Sequence, residues 1–304
     1  MQEFMNYAEN AGFSALCSFP LKGYTSFKIG GPADVLAFPK TAEQFAGVLQ
    51  LCRRADIPTF ILGNGSNLLV PDDGFRGAVL STAELRGLRL DSGRIFCGAG
   101  EKLKALCMFA LEHSLSGLEF AYGIPGSAGG AAFMNAGAYG GEMKDILRVC
   151  RCLTAEGEFA ELCGETLGLA YRHSAFAENG GVILELELEL QTGEPLGIRA
   201  KMDDFLSRRR EKQPLEFPSA GSIFKRPPGD YAGRLIEACG LRGHAIGGAQ
   251  VSEKHCGFIV NKSGATCADV LELVAHIRQT VLAQTGVELE PEIRVLDAIP
   301  IYEK

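Results

Sequence analysis

Along 182–190 leucine alternates with glutamate: Leu184, Leu186, Leu188 and Leu190 are separated by Glu185, Glu187 and Glu189. A period of two places the leucines on one face and the carboxylates on the other, which predicts an antiparallel strand with one wet face. Elsewhere the spacing is helical. Phe45, Val48, Leu49 and Cys52 recur at three and four, behind a capping pattern of Thr41 and Gln44, so a helix starts at Thr41. Leu103, Leu106, Cys107, Ala110 and Leu111 predict a helix over 101–113. Val270, Val274, Ile277 and Val281 predict another over 268–282, stopped by Gly286. Short apolar runs at 33–38, 59–62, 68–70, 94–97, 146–153 and 257–261 read as strands. The segments 198–212 and 231–239 read as helices, with QTGEP at 191–195 as a connector.

This order predicts an α+β chain without internal repeats. Its 304 residues suit two or three cores, and the divisions expected are 1–75, 76–206 and 207–304. A doubly wound NAD fold is disfavoured because its parallel β/α succession is missing. In GAGEKL, at 98–103, Leu103 stands where a third small residue is required. A P-loop and a GxSxG elbow are also missing from the sequence.

Composition adds one anomaly, 38 glycines in 304 residues against a usual share of about 7%. The net charge of -7 argues against nucleic acid or an anionic membrane as the main partner. One basic island opposes that balance: between 205 and 226, six Lys and Arg face two Glu, a local +4 that suits either a phosphate or a solvated helix end. Ten cysteines without a CxxC pair, scattered histidines, and Glu3 and Glu9 where a leader would be cationic and then apolar lead us to expect reduced thiols, a cytoplasmic location and no metal. The uncharged stretch 120–141 matches a membrane span in length. It holds seven Gly and six Ala and is broken by Pro125, so it reads as a glycine-rich loop system whose small residues build no core.

Two glycine clusters carry the candidate chemistry. GNGSN at 63–67 offers bare backbone with neutral donors from Asn64, Ser66 and Asn67, a cradle for a pyrophosphate, though the same five residues also suit a plain hairpin turn. The second, GIPGSAGGAAFMNAGAYGG at 123–141, exposes further N–H groups to a flat or anionic ligand. Together they point to one large nucleotide cofactor.

Six segments in order, TSFKIGGPAD (25–34), ILGNGSNLLV (61–70), GIPGSAGGAAFMNAGAYG (123–140), YRHS (171–174), SAGSIFKRP (219–227) and LEPEIRVL (289–296), together resemble the UDP-N-acetylenolpyruvoylglucosamine reductase family, flavoenzymes of peptidoglycan precursor synthesis. The resemblance spans nearly the whole chain and is far more specific than any one motif. It implies a two-part module of the vanillyl-alcohol oxidase type holding FAD non-covalently, a C-terminal α+β substrate domain, NADPH as electron donor and a UDP-sugar as substrate. No nucleic acid, membrane or obligate protein partner is expected. The implied flavin contacts are Asn64, Gly65, Ser66 and Asn67 in the first loop. In the second they are Gly123, Pro125, Gly126, Ser127, Gly129, Gly130, Asn135, Ala136, Gly137 and Tyr139.

The same resemblance puts a catalytic trio on Arg172, Ser222 and Glu292, with Tyr171, Lys225 and Arg226 toward the substrate. Many relatives carry Asn at the position of Arg226. Spacing alone favours Arg172 as a surface ion-pair partner, Ser222 as a turn residue and Glu292 as one of three acids near a strand face, and the matched motifs reverse that reading. Only 50 positions separate Arg172 from Ser222, which matches the family's shorter form, without the insertion that supplies a capping tyrosine. Tyr231, Gln250, Lys254 and His255 are then the candidates for closing over UDP.

Overall fold

A computed structural model describes residues 2–296. Three larger sheets organise it. The first has the strand order Ser14–Pro20, Pro32–Phe38, Phe75–Ser81, Thr59–Leu62. Its first pair is antiparallel and the other two pairs are parallel. Three parallel strands with one crossover helix, Ala42–Arg54, were not expected from the sequence. Phe75–Ser81 inserts between two strands that precede it in the chain, so the local succession hides the pairing. This sheet also extends past the expected division at 75/76. Thr41 Oγ1 accepts the Gln44 N–H at 3.2 Å as the cap predicts, but the Gln44 side chain turns outward to Lys40 and Ala11 instead of closing the box. Phe45, Val48, Leu49 and Cys52 are buried, as their spacing requires.

The second sheet is wholly antiparallel, in the order Phe159–Cys163, Leu147–Leu153, Val182–Glu189, Arg94–Gly98, Leu88–Asp91. Leu184, Leu186 and Leu188 are buried, each such leucine contributing about 1.5–3 kcal/mol of transfer free energy. The opposite face is an ionic ladder. Arg151 meets Glu185 at 2.6 Å, Arg148 meets Glu189 at 2.8 Å, and Arg94 bonds Glu187. The Arg89 guanidinium lies 3.5 Å from the Phe96 ring centroid, covering it on the wet side.

The stretch 120–141 departs from the expectation of loops alone. It contains a short helix, Ala128–Phe133, and Phe120, Ala121, Tyr122, Ala128, Ala131 and Ala132 are buried in the largest apolar cluster. Small side chains here serve close packing: a Cβ on Gly129 would lie 2.8 Å from that of Ala99. Pro195, assigned to a connector, is instead the first residue of the helix Pro195–Lys212, where a missing N–H costs nothing. Ile198 and Met202 of this helix belong to the same cluster, so the helix runs across the expected division at 206/207.

The third sheet, Ser219–Ser222, Phe258–Asn261, Ala249–Val251, Ala245–Ile246, is antiparallel and backed by the helices Ala232–Ala238 and Cys267–Thr285. After it the chain returns to the N-terminal half. Arg294–Val295 pairs in parallel with Leu68–Leu69, directly after the first glycine loop. GNGSN therefore links two different sheets and is not a hairpin turn. Among the described residues no helix is long and apolar enough to cross a membrane.

Candidate active site

A cavity of about 850 Å³ opens where the three sheets meet. Its walls are the loop 63–67, the tract 124–138, the segment 177–183, and, from the C-terminal part, 219–222, Glu292 and Arg294. That volume lies in the range of small-molecule and cofactor sites.

The two glycine loops are tied to each other. Asn64 Nδ2 donates to the Pro125 carbonyl at 2.6 Å, and Gly63 approaches so closely that a Cβ there would sit 2.9 Å from Ser127 Oγ. Gly65 has a φ of +61°, and a Cβ on it would lie 2.1 Å from the Tyr24 carbonyl oxygen, so only glycine fits. Ser127 Oγ accepts from Gly130 N–H at 3.3 Å and caps the short helix. Backbone too close for side chains, lining a cavity of this size, fits a flat nucleotide cofactor such as FAD. One polar atom in the wall adds to the fit: Gln213 Oε1 is buried without a hydrogen-bond partner.

Arg172, Ser222 and Glu292 converge on this cavity from separate elements. Glu292 is fixed through its backbone: its N–H donates to the Ile223 carbonyl at 2.7 Å, and its carbonyl accepts Asn67 Nδ2 at 3.1 Å. Ser222, next to Ile223, is thus held in register with both Glu292 and the first glycine loop. Arg172 Nε donates to Glu292 Oε1 at 2.6 Å, and Arg172 Nη2 reaches the Gly137 carbonyl at 3.4 Å. Burial raises the pKa of Glu292, and the Arg172 charge and hydrogen bond oppose that rise. Arg172 itself has a φ of +55°, a left-handed backbone that a non-glycine residue adopts at a cost, in keeping with a site residue.

A family model described as the FAD binding domain matches residues 33–162, and one described as the UDP-N-acetylenolpyruvoylglucosamine reductase C-terminal domain matches 213–296. Proteins named UDP-N-acetylenolpyruvoylglucosamine reductase are similar along nearly the whole chain. The one from Clostridium perfringens is 47% identical over 91% of both chains, and the one from Listeria monocytogenes is 50% identical over 91% of this chain and 93% of its own. The chain belongs to the UDP-N-acetylenolpyruvoylglucosamine reductase family. The solved reductase of Thermus caldophilus superimposes with a TM-score of 0.80 at 37% identity, covering 94% of this chain and 99% of the other. The α+β class, the FAD-binding domain and the reductase C-terminal domain follow.

Within this reductase fold the residues expected at the flavin divide into two groups. Asn64, Gly65, Ser66, Asn67, Pro125, Gly126, Ser127, Gly129, Gly130, Ala136 and Gly137 line the cavity. Gly123, Asn135 and Tyr139 do not. Asn135 is fully buried and spends its side chain on protein, donating to Glu142 and to the Ala170 carbonyl at 2.9 Å each while accepting from Lys144 N–H at 2.8 Å. It shapes the tract and leaves no donor for a ligand. Tyr139 stacks on Phe205, with centroids 4.6 Å apart. Gly123 packs against the Arg209 side chain.

Tyr171, Lys225 and Arg226 lie outside the cavity wall and form a chain of contacts beside it. The Arg172 guanidinium sits 5.0 Å from the Tyr171 ring centroid, Tyr171 Oη accepts from Arg226 N–H at 3.2 Å, and Lys225 pairs with Glu290. Arg226 in turn lies 3.8 Å over the Tyr231 ring. Of the UDP candidates, Gln250 and Lys254 line a smaller cavity of about 290 Å³, and His255 is half-buried, with its pKa lowered chiefly by desolvation.

Sequence reasoning missed Arg209, Gln213, Arg294 and the segment 179–183. The basic island signalled the first of these, but charge alone did not say which arginine points inward.

Proposed function

We propose that the chain reduces the enolpyruvyl ether of UDP-N-acetylglucosamine enolpyruvate to UDP-N-acetylmuramate, with FAD bound non-covalently and NADPH as the electron donor, in peptidoglycan precursor synthesis. The single observation that carries this reading is the convergence of Arg172, Ser222 and Glu292 on a cavity whose other wall is the two glycine loops. Flavin held by the two glycine loops would supply the hydride for the methylene carbon of the enolpyruvyl group.

Negative charge then develops on the adjacent carbon and its carboxylate. Arg172 is permanently cationic, and with Nε committed to Glu292 and one Nη2 hydrogen near the Gly137 carbonyl, Nη1 and the second Nη2 hydrogen remain to face that carboxylate. Glu292, kept protonated at higher pH by its burial, donates a hydrogen bond as the charge grows. Ser222 delivers a proton to the carbon and is reprotonated from water. A hydroxyl is a weak acid, so this transfer requires a strongly basic partner, and a positioned proton donor contributes about 10² to 10⁴ in rate.

Three units share the work in this reading: 2–81 and 82–213 around the flavin, and 214–296 over the UDP-sugar. The same proposal places the reaction in the cytoplasm and requires no second protein. Anaerobic NADPH should bleach the bound flavin, and the UDP-enolpyruvyl sugar added afterwards should restore its oxidised absorbance. Bleaching without recovery would leave a flavin reductase with a different acceptor.

A further inference from the structure

Arg209 and Gln213 lie one helical turn apart at the end of the helix Pro195–Lys212, and both line the large cavity. Neither is used by the reaction as described above. Among the described residues no carboxylate pairs with Arg209, although its neighbour Arg208 is bound to Asp204 at 2.7 Å. Its aliphatic stem packs on the second glycine loop, where a Cβ on Gly123 would lie 3.1 Å from Arg209 Cδ. Gln213 Oε1 is the one buried side-chain polar atom among the described residues that lacks a partner. A buried orphan acceptor costs about 1–3 kcal/mol, which a ligand donor would recover.

The pair discriminates between ligands. A diphosphate satisfies a guanidinium but offers no hydrogen to an acceptor beside it. A carbonyl next to an N–H satisfies both groups, and that alternation is the imide edge found on the flavin ring and on uracil. The stem's packing against the second glycine loop favours the flavin.

Resting on the FAD reading, we infer that Arg209 and Gln213 bind the imide edge of the flavin ring, the guanidinium at the C2 carbonyl side and the glutamine amide at the ring N–H. Negative charge gathers on the N1–C2 side when the ring takes up two electrons, so Arg209 also raises the flavin's reduction potential.

The test uses the purified holoprotein and the variants Arg209→Met, Arg209→Lys, Gln213→Leu and Gln213→Met, with FAD affinity, flavin midpoint potential and affinity for UDP measured on each. Loss of FAD affinity by about tenfold is expected in Arg209→Met and in both Gln213 variants, the equivalent of about 1.4 kcal/mol. A lower midpoint potential is expected in Arg209→Met, with an intermediate value in Arg209→Lys. UDP affinity should stay within about twofold, since no hydrogen bond to it is removed. Unchanged FAD affinity and potential in variants that melt like the parent would overturn the inference, and weakened UDP binding alongside them would assign the edge to uracil. Parent protein that binds no FAD would instead overturn the flavin reading itself. If one leucine or methionine variant melts early, its partner at the same position decides.

Discussion

Arg172 Nε and Glu292 Oε1 lie 2.6 Å apart although 120 positions separate the two residues in the chain. The contact joins the loop that follows the edge strand Phe159–Cys163 to the segment just before the C-terminal return strand Arg294–Val295, and it couples the charge states of the two groups. Burial alone pushes Glu292 toward its neutral form, and Arg172 pulls it back.

A pH dependence follows for the step that consumes the UDP-enolpyruvyl sugar. If neutral Glu292 donates a hydrogen bond, that rate falls as pH rises through its raised pKa. The same group contributes to stability in the same direction: a carboxyl whose folded pKa exceeds its unfolded value adds stability below the unfolded pKa, and the contribution is lost as pH rises through the folded one. Glu292→Gln should flatten both profiles and be milder than Glu292→Ala. Stopped-flow re-oxidation of reduced enzyme across pH measures the first, and thermal melts across the same range measure the second. A Gln variant worse than Ala would contradict a neutral donor.

Replacing Arg172 by Met removes the charge that holds Glu292 down, so the alkaline limb of that profile should move to higher pH while the rate itself drops by about 10² or more from the lost carboxylate fork. Arg172→Lys should keep the limb near its original place but recover only part of the rate, because a point charge lacks the bidentate geometry. A limb that stays fixed in Arg172→Met would show that the two groups are not coupled.

Gly65→Ala asks an alanine to adopt a φ of +61° with its Cβ 2.1 Å from a backbone oxygen. Left-handed strain alone costs about 1–2 kcal/mol and the clash adds to it. A lower melting temperature and protein purified with less than one FAD per chain are expected, read by differential scanning and by flavin absorbance. Full FAD content would remove the loop from the cofactor site.

Thiol reactivity should divide by burial. Cys17 and Cys163 are exposed, whereas burial raises Cys52 to about 11 and Cys150 to about 12 and pushes Cys97 and Cys107 up as well. A thiol reagent at neutral pH should label the first two rapidly in native protein and the buried four only after unfolding. Rapid native labelling of Cys97 or Cys107 would contradict the packing around the second sheet.

Periodicity made the elements with a single wet face readable. Leu184 to Glu189 declared both strand and face, and the apolar stripes of Ala42–Arg54 and Cys267–Thr285 declared helices to within a few residues. What stayed hidden depends on partners distant in the chain. The parallel place of Phe75–Ser81 between two earlier strands leaves no local trace, nor does the pairing of Arg294–Val295 with Leu68–Leu69. In the site, bare backbone marked both glycine loops, and motif likeness marked the trio. The side chain of Asn135 is spent on Ala170, Glu142 and Lys144, because a polar residue in such a tract serves neighbouring protein groups as readily as a ligand. Gln213 carried no signal, and the basic island marked Arg209 only as one of several cations, because inward orientation at a helix end is a property of packing, not of spacing.

The most direct test of the central claim compares the two half-reactions in Ser222→Ala. Reduction of the flavin by NADPH should proceed at nearly the parent rate, while re-oxidation by the UDP-enolpyruvyl sugar slows by about 10² or more. An equal loss in both, or none in the second, would contradict the assignment of Ser222 as the proton donor in a site shared with Arg172 and Glu292.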